Sequence, residues 1–416
     1  VTKTPLHLFE GYGVELEYMI ADLENLNIKP FADKVINQAA GETANVVEMG
    51  PIAWSNELVM HVLEMKTNGP ARSLQGLSDQ FHRSIHQANT LLKNFQCVLL
   101  PTAMHPWMNP EKETRIWSHE QNEVYLAYDR IFGCKGHGWS NLQSTHLNLP
   151  FADDAEFTRL HAAIRLILPI IPALTASSPL MDGVLTGLKD NRLEVYRHNQ
   201  HKIPSLTGRV VPEVIHSIDE YHEKILQRIY KDIAPWDYDD ILQGEWLNSR
   251  GAIARFDRNA IEIRVIDIQE SPAADIAFIA LIAEIVKALT EERWVSIETL
   301  HKFSEQRLEI LMLRGIKSAE EALIDDEEFL EVFGLGNYRQ LLAGVLWSKL
   351  AQELITDDEF NPLTNAALNC YLKQGSLSSR IMKALGQNPV KSRIEAVYRE
   401  LYQCLGNNTI FNLNDI

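Results

Sequence analysis

The sequence predicts an α+β enzyme fold: an antiparallel β-sheet with helices packed on its back, followed by a helical C-terminal portion. Three observations predict it. Several short segments alternate aliphatic and ionisable residues with the period of a half-buried strand, as in Gly13-Val14-Glu15-Leu16-Glu17-Tyr18-Met19-Ile20. Amphipathic helical stretches separate them, as expected for a sheet with one apolar and one carboxylate-rich face. Beyond Pro272 the strands stop and the pattern turns helical almost throughout.

Taken in order, the first strand places Val14, Leu16, Tyr18 and Ile20 on one face and Glu15 and Glu17 on the other. Residues 26–56 show no clear period. Residues 57–67 read as a strand, stopped by Asn68-Gly69-Pro70. In one continuous strand the odd spacing puts Glu57 and Glu64 on opposite faces, which makes Glu57 a structural or supporting acid. Leu74, Leu77, Phe81, Ile85 and Leu92 predict an amphipathic helix over 71–96. Val98-Leu99-Leu100 is a short buried strand that runs into the loop 101–106.

Residues 107–140, rich in Trp, Asn, His and Gly, read as a long functional loop with a short helix near 120–132. The strand 144–150 puts His146 and Asn148 on one face. Phe157, Leu160, Ile164 and Leu168 predict a helix bent or ended around Pro169 and Pro172. The basic run 197–209 reads as a solvated loop. Another helix carries Ile218, Tyr221, Ile225 and Ile229. In the last strand, 261–267, Glu262 and Arg264 share a face. Helices are then expected over 273–293, 296–313, 318–333, 337–355, 378–385 and 390–405. The division is a sheet-and-helix catalytic core over 1–272 and a mainly helical portion over 273–416, packed on the same domain.

The 416 residues are 45% hydrophobic and 23% charged, an ordinary soluble composition with material for a large core. The formal net charge of −17 argues against a nucleic-acid binder, whose footprint is a basic patch. Bound metal ions would reverse that sign locally, so anionic substrates stay open. The four cysteines have no C-x-x-C spacing, which argues against a zinc site or disulfide framework and for a reducing cytoplasm. The N-terminus has no apolar signal core. The most apolar run, Ile276 to Leu289, contains Glu284 and Lys287 and is shorter than the ~20 residues of a membrane span. It reads as a buried helix, and no membrane partner is expected.

Four segments thus carry ionisable groups on a strand face or at its end: Glu15 with Glu17, Glu57 with Glu64, His146, and Glu262 with Arg264. Two carboxylates on one face repel unless a cation lies between them. An isolated E-x-E is more often a wetted strand face, and a lone His more often a satisfied core residue. Several Glu with one His can instead hold two or three divalent cations such as Mg²⁺. Arginines beside them, without enough acid partners, would be free for a phosphate or carboxylate. Metal, phosphate and carboxylate together suit ATP-driven activation of an acid through an acyl phosphate. Composition alone does not choose this over metal-assisted hydrolysis.

The motifs Gly13-Val14-Glu15-Leu16-Glu17-Tyr18, Leu63-Glu64-Met65-Lys66-Thr67, Met104-His105-Pro106 and Thr145-His146-Leu147-Asn148 are followed by Ala176-Ser177-Ser178-Pro179-Leu180-Met181-Asp182-Gly183. Thr186-Gly187 through Arg192, and Glu262-Ile263-Arg264-Val265-Ile266-Asp267, complete the series. In order and wording this resembles glutamate–cysteine ligase family 2, the carboxylate–amine ligases of the glutamine-synthetase-like superfamily, over roughly residues 10–300. The resemblance implies a curved antiparallel sheet whose concave face holds ATP and two or three Mg²⁺ or Mn²⁺ ions. It implies Glu15, Glu17, Glu64, His146 and Glu262 as metal ligands, Arg264 at the transferred phosphate, and Arg192 at the acid substrate or the phosphoryl group.

Arg255 leads directly into the Glu262 strand and is expected at the phosphates. His105 and Asn148 are expected to contact substrate, although His105 before Pro106 has a second reading as a strand terminator. Arg264 likewise has a second reading, an ion pair with Glu262 or Glu17. The family pattern has His-x-His at the His146 strand and Ser before the arginine after Gly187. Here a single His stands in Ser144-Thr145-His146-Leu147-Asn148, and Asn191 precedes Arg192. Both departures sit on the substrate side. The implied activity joins a small-molecule acid, with glutamate leading, to an amine, with cysteine leading. A homo-oligomer is the default. The alternatives are a guanidino phosphotransferase on the same sheet, and a non-catalytic regulatory protein that binds ATP or an amino acid.

Overall fold

The computed structural model describes residues 5–120, 122–355 and 362–415. Its centre is a wholly antiparallel sheet. The strands are β1 (Gly13–Asp22), β2 (Val46–Met49), β3 (Ile52–Asn56), β4 (Val62–Thr67), β5 (Cys97–Leu100) and β6 (Ser144–Pro150). A small hairpin, β7 (Leu180–Met181) and β8 (Val184–Leu185), stands apart, and β9 (Ala252–Arg255) and β10 (Ala260–Asp267) complete the sheet. The order across it is β2-β3-β4-β1-β6-β10-β9, and β5 pairs with the far end of β1.

The alternation in β1 decides which way it faces. Val14, Leu16, Tyr18 and Ile20 are fully buried against the helices behind the sheet. Leu63, Met65, Leu147, Leu149, Ile261 and Ile263 join them from the neighbouring strands. The backing helices are Leu77–Leu92, Asp154–Ile167 and Pro272–Thr290, whose apolar side chains belong to the same hydrophobic core. Burying each large aliphatic chain contributes about 1.5–3 kcal/mol, so a one-residue slip of β1, which turns its aliphatic set outward, is strongly disfavoured. That register puts Glu15 opposite both Lys66 and His146, Glu17 opposite Glu64, and Glu262 opposite Asn148. Of these, Glu15, Glu17, Glu64, Lys66, His146 and Glu262 line one cavity.

The strand expected over 57–67 is shorter than its pattern suggests. Regular pairing begins only at Val62, and residues 57–61 turn the chain between β3 and β4. The reversal changes the parity argument for Glu57. Ser55 pairs with Glu64 across the hairpin, so Ser55 and Glu64 share a face, and Glu57, two residues beyond Ser55, follows that face. The unassigned stretch 26–56 holds a helix, Ala32–Ala40, as well as β2 and β3.

The buried apolar helix spans Pro272–Thr290. Several long C-terminal helices expected from periodicity are broken by caps. Ser304 accepts the Arg307 N–H and restarts a helix at Glu305, so 296–313 is split into Ile297–Leu300 and Glu305–Ser318. Asp326 caps Glu327–Val332 in the same way, after a short strand at Leu323–Ile324. That strand pairs with Leu341–Leu342, which precedes the helix Ala343–Leu354. The last two expected helices appear as Leu377–Leu385 and Lys391–Asn407, and a further one covers Pro362–Gln374. Trp347 is buried and donates its indole N–H to the Ile170 carbonyl. The main hydrophobic core runs from Val14 to Leu405 and includes both portions of the chain. Among the described residues one helical run, Asp154–Thr175, is long and apolar enough to cross a membrane by length and composition; it is buried inside the fold.

Candidate active site

The carboxylate-bearing face of the sheet floors a cavity of about 860 Å³. Glu15, Glu17, Glu64, His146, Glu262, Arg192, Arg255 and Arg264 all line it. The strand pairing alone brings the acids together, because β4, β1, β6 and β10 are adjacent and each turns one or two ionisable residues to the same side.

His146 sits among the carboxylates. Its Nδ1 lies 3.1 Å from Glu15 Oε2 and 3.8 Å from Glu262 Oε1, and its Nε2 lies 3.8 Å from Glu17 Oε1. Ser144 fixes Glu17 with its backbone N–H at 2.6 Å and its hydroxyl at 2.9 Å. Asn148 donates to Glu15 Oε1 at 3.2 Å. Gly13, paired with Asn148, permits this approach, since a Cβ there would lie 2.9 Å from the Asn148 Cβ. Ser55 donates to Glu64, and the Lys66 ammonium lies 2.5 Å from Glu64 Oε2.

The acids do not titrate alike. Burial and the neighbouring Glu15 push Glu64 up to about 7, against the pull of Lys66. Burial, with Glu64 and Glu17 beside it, drives Glu57 well above the carboxylate range. Burial would raise Glu15 as well, but its bond to His146 and the charges of His146 and Lys66 more than offset it and hold Glu15 low. His146 is depressed by burial and raised on balance by Glu15, Glu17 and Glu262. Crowding and burial thus disfavour the charged forms of Glu57 and Glu64, and a cation bound beside them would favour those forms. One ligand atom each from Glu15, Glu64 and His146 lie within 4.8 Å of one another. These are oxygen-rich donors with one imidazole, a set that fits Mg²⁺ or Mn²⁺.

The arginines stand on the β9–β10 side. Arg255 Nη1 lies 3.1 Å from Glu262 Oε2, and Arg264 Nε lies 3.1 Å from Glu262 Oε1. The expectation that the arginines lack acid partners is corrected for these two. Arg255 pairs with Ala260 across the hairpin, so its side chain reaches Glu262 on the same face. With both oxygens engaged, Glu262 is outside the tight Glu15–Glu64–His146 group, although it lines the same cavity. Arg192 is almost wholly buried, with Nη2 2.7 Å from the Arg264 carbonyl, Nη1 3.5 Å from Asp267, and Nε without a partner. Arg258 also lines the cavity, 3.9 Å from Glu15 Oε1.

Two expected substrate contacts lie elsewhere. His105 is fully buried behind the loop. Its Nε2 bonds the Leu26 carbonyl at 2.7 Å, its ring packs edge-on to Trp107, and it does not line the cavity. The residue reads as a pocket group only because its loop follows a strand end. Asn148, on the same sheet face as His146, is not among the cavity-lining residues either, and its amide donates to Glu15 Oε1. Glu57, expected as a structural or supporting acid on the face opposite Glu64, instead lines the cavity beside Glu64. Lys66 and an aromatic roof, neither expected from the sequence, also line the cavity. The roof comes from the helix Asn122–Phe132 and the segments after it: Tyr128 packs 5.4 Å from Trp139 and 6.0 Å from Trp246, and Tyr125 bonds Asn56. The aromatic-rich composition of 107–140 was the available signal.

Comparison with known proteins bears on the family and the fold. The sequence pattern of the glutamate-cysteine ligase family 2 (GCS2) matches residues 12–396. A protein of Archaeoglobus fulgidus described as uncharacterized is 32% identical over 400 residues, spanning 96% of this chain and 99% of its own. A Bradyrhizobium diazoefficiens protein, provisionally named glutamate–cysteine ligase 2, is 23% identical over 222 residues, 52% of this chain and 47% of its own. The crystal structure of a glutamate–cysteine ligase from Francisella tularensis in complex with AMP superposes with a TM-score of 0.55 at 12% identity, covering 95% of this chain and 88% of that one. At that identity the superposition speaks for the fold, a large antiparallel sheet backed by helices.

Proposed function

We propose that this chain, which belongs to glutamate-cysteine ligase family 2, is an ATP- and Mg²⁺-dependent carboxylate–amine ligase that works through an acyl phosphate. The observation that carries the reading is the convergence of Glu15, Glu64 and His146 within 4.8 Å, on a cavity wall that also presents Arg192, Arg255, Arg258 and Arg264. An acidic cluster beside a set of arginines is what a metal-bound polyphosphate and a carboxylate substrate would need together.

A carboxylate is a poor electrophile. In the proposed reaction its oxygen attacks the γ-phosphorus of ATP and ADP leaves. The amine then attacks the acyl carbon, phosphate leaves, and the amine gives up a proton as the amide forms. Glu15, Glu64 and His146, with Glu17 and Glu262 beside them, would hold the divalent ions. Bound there, these ions neutralise phosphate charge and orient the γ-phosphoryl group. Arg255 and Arg258 face the same wall and would hold the phosphate chain. Arg264 offsets charge at the transferred group, and Arg192, pinned by Asp267 and the Arg264 carbonyl, points a fixed guanidinium at the acid. Tyr128, Trp139 and Trp246 also line the cavity and would limit water at the acyl phosphate.

Glutamate and cysteine are the first pair to test, by family membership. Cys97 and Cys134 are buried free thiols, which supports a reducing cytoplasm. Purified protein with ATP, Mg²⁺ and paired acids and amines should release ADP only when both substrates are present. ADP release with a guanidino compound alone would replace the ligase reading by a phosphotransferase. No release across a broad panel, with no ATP-dependent thermal shift, would end the enzyme reading.

A further inference from the structure

Lys66 stands on β4 two residues beyond Glu64, on the same face, and opposite Glu15 across the β1–β4 pairing. Its ammonium rests 2.5 Å from Glu64 Oε2. The cations that line the cavity are otherwise His146 at the centre and Arg192, Arg255, Arg258 and Arg264. Arg255 and Arg264 are tied to Glu262, and Arg192 to Asp267 and a backbone carbonyl. All of these arginines belong to or lean on the β9–β10 side. Among the described residues, Lys66 is the lining cation on the opposite, β4 side of the carboxylate cluster.

We infer that Lys66 is a phosphate-anchoring residue: it leaves Glu64 when a divalent cation takes the Glu15 and Glu64 oxygens, and closes on the β/γ-phosphate oxygens from the side facing the arginines. The inference rests on the ligase reading of the site. Lysine suits this exchange and arginine does not. A primary ammonium on a four-carbon stem is a compact charge that can swing between neighbouring anions, whereas a guanidinium is set by its fork geometry. The side chain is about three-tenths exposed to the cavity and so has room to move. An ammonium displaced from its carboxylate by a divalent cation needs a new anion nearby, and in this cavity the nucleotide would supply it. Lys66 therefore opposes metal binding in the empty site and favours it once the phosphates are present, so metal and nucleotide bind with positive coupling.

The test compares the whole protein with Lys66→Met, and with Lys66→Gln in case the first variant folds poorly. Free Mn²⁺ is followed by electron paramagnetic resonance, and ATP·Mn²⁺ and AMP by calorimetry. We expect the variants to bind Mn²⁺ alone several-fold tighter and ATP·Mn²⁺ about tenfold or more weaker, the loss of one charge-assisted contact, with AMP affinity unchanged. A merely structural lysine would not move the first two in opposite directions. If wild type binds ATP·Mn²⁺ and the variants match it, or lose AMP equally, the Lys66 assignment falls and the ligase reading stands. If wild type binds no ATP at all, both fall.

Discussion

His146 and Glu15 face each other directly across the β1–β6 pairing, Nδ1 to Oε2 at 3.1 Å, and Glu64 reaches the same point from β4 on the other side of β1. Three separate strands meet there because β1 is central and its two neighbours turn the same face inward. Glu15→Gln keeps the volume but removes the charge and one hard oxygen donor. We expect it to weaken Mn²⁺ binding by about tenfold or more, and to lower ADP release at least as much. Manganese titration of wild type and variant checks this. Equal affinities would remove Glu15 from the metal site.

Arg192 is held from behind by Asp267 and the Arg264 carbonyl, with its Nε left unpartnered. Arg192→Lys preserves the charge but loses the fork. The expected effect is a fall in kcat/KM of roughly 10²-fold, the loss of one or two charge-assisted bonds. It should appear with the acid substrate as the varied component and leave the KM for ATP close to wild type. A change confined to the ATP KM would move Arg192 from the acid to the phosphates.

The strands that build this site were legible because each alternates cleanly: in β1, β6 and β10 the apolar set fixes the back face and the ionisable set follows. Glu57 was not legible, since its face depends on where the chain reverses between β3 and β4, and the apolar residues Leu58, Val59 and Val62 continue the strand-like look through the turn. The environment of His105 was equally hidden. Its bond to the Leu26 carbonyl joins residues 79 apart, and nothing local in Met104-His105-Pro106 separates a buried structural ring from a pocket group. The pairing of both Arg255 and Arg264 with Glu262 required the β9–β10 register.

His105 makes an acid-stability prediction. Burial pushes its imidazole down to about 4, and the neutral ring donates to Leu26. The unfolded chain takes up the proton near 6.5, so its contribution is complete above that pH and is lost as pH falls toward 4. His105→Gln should be less stable than wild type at pH 7 by about 1–3 kcal/mol, through lost packing and hydrogen bonding. The gap should close by about 2 kcal/mol as pH falls from 6.5 to 4.5. Urea titrations at the two pH values measure it, and a constant gap would mean that the ring is charged in the fold.

Asp275 acts in the opposite direction. It lies behind the sheet, where Oδ1 accepts from the Thr145 hydroxyl at 2.7 Å and the Gln269 N–H at 3.0 Å, while Oδ2 is buried without a partner. Burial raises its carboxyl to about 8, against the pull of those two bonds. The folded protein therefore keeps a proton that the unfolded chain gives up near 4. Stability from this group is complete below 4 and drains as pH rises to about 8, at up to about 1.4 kcal/mol per pH unit. Asp275→Asn retains the Oδ1 acceptor and cannot ionise. Its stability relative to wild type should improve by about 2 kcal/mol between pH 6 and pH 8. Parallel stability curves over that interval would mean that Asp275 is already ionised in the folded protein, with a counter-charge or water at Oδ2.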